Sequence, residues 1–419
     1  MAMPIRHKLV GMIFAGSAVN FIDRVNISVA APAMMLANGW RKDEFGLVFS
    51  AFMLGYATAQ IPAGLIADRH SARLLLALAF FGFSLFTALT PVVAFAIAPL
   101  IVVRFFIGAC EASTFPSITA FNSKWFPPAE FGRAQTMSLA GGSFGQMIAY
   151  PLTVWIVLHV SWQAAFYVSA ALGFMWVAIW LRNSTDRPSD HPTIQPEELA
   201  LIKTLGMSGD PREMSLRALA TAMPVVVLSL GAMCFGFVLW TFVFWFPTYL
   251  IEARGLSLAV IGVVGIVIQA CGFLGTAVSG IISDHLLKRT LRPRVARTIF
   301  GGTMIAISMM LLIGAVSTSS VALSLALFGL FYFSLMSVNV AFLATPAALN
   351  PRQAGSIFGI VNCAASLGAV FGPAVVGFAV AHAGSWQRSF EFVSLVGFLC
   401  AVFLLCVPVR RLALSEQPG

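Results

Sequence analysis

The chain has 419 residues, 59% of them hydrophobic and only 10% charged, with a formal net charge of +9. Soluble domains carry about 25% charged residues, so the composition excludes an ordinary soluble domain. The excess of Lys and Arg is spread over short connecting segments rather than gathered in one basic stretch, which argues against a nucleic-acid partner.

About twelve apolar runs reach the roughly 20 residues that a membrane-spanning helix needs. The first six cover residues 9–36, 44–67, 74–90, 96–123, 132–158 and 162–181. A polar linker, 182–222, holds Arg182, Asp186, Arg187, Asp190, Glu197, Glu198, Lys203, Arg217 and further charges. Six more runs follow at 223–251, 258–286, 295–315, 318–349, 353–383 and 388–407. The pattern predicts an all-α polytopic membrane protein: an N-terminal six-helix bundle (1–181), a cytoplasmic linker (182–222) and a C-terminal six-helix bundle (223–419). The first run is too long for a cleavable signal peptide and carries charges at its centre.

Placing both termini and the even-to-odd connections in the cytoplasm puts 19 of the 25 Lys and Arg residues on that side. Four lie outside (Arg41, Lys42, Arg254, Arg388) and two within the membrane (Arg24, Arg104). That asymmetry follows the positive-inside rule and predicts cytoplasmic termini.

The halves repeat. Gly64-Leu-Ile-Ala-Asp68 after run two matches Gly280-Ile-Ile-Ser-Asp284 after run eight. Ser161-Trp-Gln before run six matches Ser385-Trp-Gln before run twelve, and Ser143-Phe-Gly145 matches Ser366-Leu-Gly368. Offsets of 216, 224 and 223 mean two parallel sets of six. Parallel repeats of this kind place a substrate site at mid-membrane on the interface between them.

Two ionic clusters interrupt otherwise apolar runs: Asp23 and Arg24 in the first, Arg104 and Glu111 in the fourth. Each charge at mid-bilayer costs roughly 2.5–3.5 kcal/mol, so four facing lipid would cost ~10–14 kcal/mol. They must pair or line a wet cavity. Arg104 and Glu111 share a helix face but stand roughly 10.5 Å apart along the axis, too far for a direct pair. Asp23 and Arg24 point about 100° apart, so Asp23 is free to meet a charge of run four while Arg24 faces a cavity. A carboxyl in low dielectric can hold a proton near neutral pH, and a guanidinium fork matches a carboxylate. Asp23 and Glu111 are therefore candidate proton carriers, and Arg24 and Arg104 candidate anion ligands; Arg104 also suits a role holding an acid. The competing reading is a structural ion pair locking two helices.

Lesser candidates are Tyr56 and Gln60 on run two, Asn339 on run ten, Asn362 on run eleven, Gln146 and Gln269. Each is balanced by helix-to-helix hydrogen bonding. Trp240, Phe244 and Trp245 on run seven suit packing better than a substrate wall. Gly141, Gly142, Gly145, Gly368 and Gly372 fit close helix approach. The six cysteines show no C-x-x-C spacing and read as apolar fillers. The histidines show no metal-ligand spacing, and no H-E-x-x-H or nucleophile elbow occurs, so an enzyme is disfavoured. Asn183-Ser-Thr185 matches a glycosylation pattern on the wrong side of the membrane.

The chain resembles the major facilitator superfamily. Gly64-Leu-Ile-Ala-Asp68-Arg69-His70-Ser71-Ala72-Arg73 is similar to its loop motif between spans two and three, with Ser71 in place of the usual glycine. Within it the chain resembles the anion:cation symporters, the group of bacterial galactonate, hexuronate, tartrate and phthalate permeases and of sialin. The residues that carry this are Asn20-Phe-Ile-Asp23-Arg24-Val-Asn26, Tyr56-x-x-x-Gln60-Ile-Pro62, Arg104-x-x-x-Gly108-x-x-Glu111-x-x-x-Phe115-Pro116, Lys124-Trp125-Phe126-Pro127 and Trp245-Phe-Pro247-Thr-Tyr249. Phe21 stands where many sugar-acid members have Tyr, which removes a hydroxyl from the expected cavity and makes an aromatic carboxylate a competitor. The resemblance implies a twelve-helix, proton-coupled symporter of a small organic anion in the lipid bilayer of a plasma (bacterial inner) membrane, monomeric and without cofactor. It implies a cytoplasmic gate at Asp68, Arg69, Arg73 and Asp284. A proton-coupled exporter is the alternative, and the two intramembrane arginines count against it.

Overall fold

The computed structural model describes residues 4–203, 215–350 and 353–409. Its long elements are all helical: α1 (Ile5–Asn38), α2 (Lys42–Arg69), α3 (Ala72–Val93), α4 (Ile97–Glu111), α5 (Thr114–Trp125), α6 (Pro128–His159), α7 (Trp162–Asn183), the linker helices α8 (Pro196–Lys203) and α9 (Leu216–Thr221), then α10 (Met223–Arg254), α11 (Leu258–Thr290), α12 (Phe300–Ser317), α13 (Val321–Ser337), α14 (Asn339–Leu349), α15 (Ala354–Ala383) and α16 (Trp386–Cys406). Helices are what a chain this apolar must form, because every backbone group in hydrocarbon has to be satisfied within its own segment. Ten stretches among the described residues are long and apolar enough to cross a membrane. α1 and α6, 34 and 32 residues long, carry more polar residues.

The repeats seen in sequence have local physical causes. Ser161 and Ser385 both cap helices, accepting from the Ala164 and Arg388 backbone N–H groups at 3.1 and 3.3 Å. Ser71 does the same for α3 through Leu74. Such a cap satisfies a donor that the first helical turn leaves orphaned.

Runs four and ten, expected as single helices, are each broken near mid-span, at Ala112–Ser113 and at Val338. The causes differ. Pro116, the third residue of α5, has no N–H to donate to the preceding turn. At the second break the Asn339 amide donates to the Met336 carbonyl at 3.1 Å, a local bond that competes with the helix ladder.

Two compact units are present: Met1–Gly209 with Phe246–Ile266, and Asp210–Trp245 with Val267–Gly419. In the first, α2 and α4 touch backbone to backbone. A Cβ on Gly55 would strike the Phe105 carbonyl, and one on Gly108 the Phe52 carbonyl. Gly145 meets Ala18 of α1 in the same way; in the second unit Gly368 meets Met233 of α10.

Candidate functional site

The buried centre of the first unit gathers all four intramembrane charges, each at most 3% exposed. The direct pair runs from Arg24 to Glu111: Nε and Nη2 of Arg24 both donate to Glu111 Oε2, at 3.0 and 2.5 Å. This differs from the expectation that Asp23 would meet span four while Arg24 stayed free. Asp23 Oδ2 instead accepts a hydrogen bond of 3.0 Å from the Thr87 hydroxyl of α3, and its Oδ1 has no hydrogen-bond partner among the described residues. The Asn20 amide, fully buried, faces Glu111.

Arg104 makes no salt bridge among the described residues, and its Nε and Nη2 lack partners although the residue is 1% exposed. The charged groups nearest to it electrostatically are Asp23, Glu111 and Arg24.

Aromatic rings wall the two arginines. Arg24 Cζ lies 4.8 Å from the Phe21 ring centre, 5.0 Å from Tyr56 and 5.4 Å from Phe52. Arg104 Cζ lies 4.7 Å from the same Phe52 ring. Ring faces carry negative charge density and attract cations. Phe21 is half-buried, packs 6.2 Å from Phe115 and closes on Gly142, where a Cβ would come within 2.5 Å of its edge. Any larger residue at position 142 would displace the ring.

The remaining expected residues fall elsewhere. Gln146 is half-buried on α6 and makes no hydrogen bond to the four charges. Asn362, half-buried on α15, offers its backbone carbonyl to Ser366 at 3.0 Å. Asn339 is engaged at the α13–α14 break. Trp245 is fully buried and donates its indole N–H to the Pro373 carbonyl at 2.9 Å, a packing role.

At the end of α2 the Asp68 side chain lies outside the described residues, and Arg69 is exposed. Arg73 ties α3 to the end of α7, donating to Ser184 Oγ at 3.1 Å and to the Leu181 carbonyl at 2.5 Å. Ser71 donates to Asp186 at 3.1 Å, so the serine that replaces the motif's glycine anchors the linker. Lys124 adds a 3.1 Å ion pair to Asp186. Partial burial alone would raise the Asp186 carboxyl, but hydrogen bonds from Lys124, the Arg73 backbone and Ser71 outweigh it and hold it below its ordinary value. In the second unit Asp284 pairs with Arg297 at 2.8 Å.

Sequence reading missed Thr87 and Phe52. Ser84, Thr87 and Thr90 form a fully buried polar stripe at spacing three on α3, a detectable signal. It also missed the cluster in which Arg6 pairs with Glu130 at 3.0 Å and Glu198 at 3.4 Å, while Glu198 caps the first backbone N–H groups of α1.

Residues 13–348 match the Major Facilitator Superfamily. The chain belongs to that superfamily. It is 29% identical over 434 residues to a probable galactarate/D-glucarate transporter of Bacillus subtilis, covering 99% of this chain and 94% of that protein. It is 30% identical over 409 residues to a probable sulfoacetate transporter of Cupriavidus necator, covering 95% and 94%. In fold it matches a bacterial homologue of the human lysosomal transporter Spinster, solved inward-facing and occupied, with a TM-score of 0.81, 17% identity and 97% of each chain covered. The chain is thus an integral-membrane transporter and not an enzyme, and its anion:cation symporter-type resemblance holds.

Proposed function

We propose that this transporter imports a small organic anion together with protons. The observation that carries the reading is the buried Arg24–Glu111 pair beside Asp23 and Arg104. In an outward-open state, protonation of Glu111 removes the charge that holds the Arg24 fork, and the fork becomes available to a substrate carboxylate. Asp23 is the second proton carrier. Arg104 offers a second fork, and Tyr56, Phe21, Asn362, Asn339 and Gln146 are proposed to shape the remainder. Substrate and proton favour the same state, so each raises the affinity for the other. On the cytoplasmic side the acids release their protons, Glu111 recaptures Arg24, and the anion leaves. Asp68, Arg69, Arg73 and Asp284 are assigned to gating of the cytoplasmic side.

The named substrates of the relatives, aldarates and a sulfonated acetate, are small organic anions and support the class. The distribution of Lys and Arg supports cytoplasmic termini in a plasma (bacterial inner) membrane. The test is uptake of labelled organic anions into proteoliposomes under an imposed pH gradient. Glu111→Gln is expected to abolish gradient-driven accumulation; fully gradient-driven uptake by that variant would remove Glu111 from the proton path.

A further inference from the structure

The second half carries a segment that the first does without. Matched positions stand 216 residues apart at Asp68 and Asp284, but 223 apart at Gly145 and Gly368. The helical segments that follow the two aspartates, starting at Ala72 and Val295, already stand 223 apart. Seven extra residues therefore lie between Asp284 and Val295. α2 ends at Arg69, one residue past Asp68, whereas α11 runs on to Thr290, six past Asp284. Six residues of helix rise about 9 Å, and the headgroup layer on one face of a bilayer is about 5–8 Å deep. The first unit makes the same connection without this extension, so the folding of the repeat does not explain it.

The extension is charged with one sign. Lys288, Arg289, Arg292 and Arg294 lie within it, with no acid among them. Asp284 is the only acid between Glu252 and Glu391, and Arg297 holds it at 2.8 Å. Arg294 is engaged as well, donating to the Leu405 carbonyl near the end of α16 at 2.9 Å. Lys288, Arg289 and Arg292 are exposed, and none of the three has an ion pair among the described residues.

Leu291 stands among these three cations with a φ of +54°, the only positive value at a non-glycine among the described residues. A left-handed residue also ends α1 and α15, and there it is glycine, Gly39 and Gly384. A Cβ makes this conformation costly, and an outlier of this kind points to a function. Packing does not offset the strain, because Leu291 is 82% exposed. A leucine ringed by unpaired cations at the end of a spanning helix suits a surface that is apolar below and anionic above.

We propose that residues 288–292 dock onto anionic phospholipid, with Lys288, Arg289 and Arg292 holding the phosphate of the headgroups and Leu291 entering the acyl layer beneath. The site is independent of which anion is transported. The experiment follows thermal unfolding of the purified full chain in neutral detergent, titrated with phosphatidylglycerol, phosphatidylcholine or inorganic phosphate. A ligand of the folded form raises the unfolding temperature. Phosphatidylglycerol is expected to do so, and the other two are not.

Each cation near an anionic surface contributes about fivefold in affinity. Replacing all three, Lys288→Gln with Arg289→Gln and Arg292→Gln, should therefore raise the half-saturating phosphatidylglycerol concentration about a hundredfold. The three side chains are exposed, so the lipid-free unfolding temperature should match that of the parent. Leu291→Gly should weaken the response to phosphatidylglycerol while at least matching the parent's stability without lipid, since glycine adopts a positive φ without strain. Four outcomes would each overturn the proposal. They are no response to phosphatidylglycerol, an equal response to phosphatidylcholine or phosphate, an undiminished response in the triple variant, and a loss of lipid-free stability in Leu291→Gly, which would make the leucine a packing residue.

Discussion

The two units share a packing scheme and differ in chemistry. Close helix contacts recur at repeat-related glycines, Gly145 on Ala18 and Gly368 on Met233. Long helices break in both, at Ala112–Ser113 and at Val338. Yet every buried charged side chain among the described residues, from Arg6 to Glu198, belongs to the first unit. The buried polar residues of the second are Ser, Thr and Gln, and it holds a buried aromatic cluster of Phe242, Phe328, Phe331 and Tyr332. The packing scheme occurs in both units, and the buried charges lie in one. The packing is then a property of the repeat, and the electrostatics a property of one half.

Charge substitutions should break that comparison most strongly. Glu111→Ala leaves the Arg24 guanidinium buried without its partner, and removing one member of a buried pair costs about 3–5 kcal/mol. Thermal unfolding of the purified protein should show this as a large drop, and double replacement Arg24→Met with Glu111→Leu should recover most of it. A single-variant loss under about 1 kcal/mol, the range of exposed pairs, would mean that the asymmetry between the units is compositional only.

Packing substitutions should behave oppositely, with equal effects in the two units. Gly145→Val and Gly368→Val each drive a side chain into a facing backbone carbonyl, and overpacking of this kind costs about 1–3 kcal/mol. The two variants should lower the unfolding temperature by similar amounts. A loss confined to Gly145→Val would show that the shared glycines do different work.

Much of this was legible in the sequence because the signals are local or periodic. Apolar length gives the spans, and the repeated Ser-Trp-Gln marks two helix starts capped by serine. Gly145 and Gly368, two of the glycines that let helices touch, were readable for the same reason, whereas Gly55 was not. Who pairs with whom was not. Asp23 and Arg24 are adjacent on one helix, and a rotation of about 100° separates them, so spacing alone does not say which one reaches Glu111. That choice is set by the neighbours: Thr87 of α3 on one side of α1, and Phe52 and Tyr56 of α2 on the other. The breaks in spans four and ten were not legible either: Pro116 is one of several prolines within apolar runs, and Pro62 and Pro151 lie inside unbroken helices.

The smallest expected difference concerns two aspartates, Asp186 of the linker and Asp284 near the end of α11. Asp186 gathers Lys124, Ser71 and the Arg73 backbone, and its side chain is 30% exposed. Asp284 meets Arg297 with its own side chain 64% exposed. A carboxyl held below its ordinary value contributes stability that is fully present above that value, 3.8, and is lost as pH falls through the depressed folded one. Asp186→Asn should therefore cost up to about 1 kcal/mol at pH 7, discounted for solvent screening, and the gap to the parent protein should close as the pH is lowered below about 4. Asp284→Asn should stay within about 0.5 kcal/mol of the parent at pH 7, as exposed pairs do. If the two variants lost equal stability at pH 7, the anchoring of the linker by Ser71 and Lys124 would contribute nothing beyond an ordinary surface pair. The serine in the loop motif would then need another explanation.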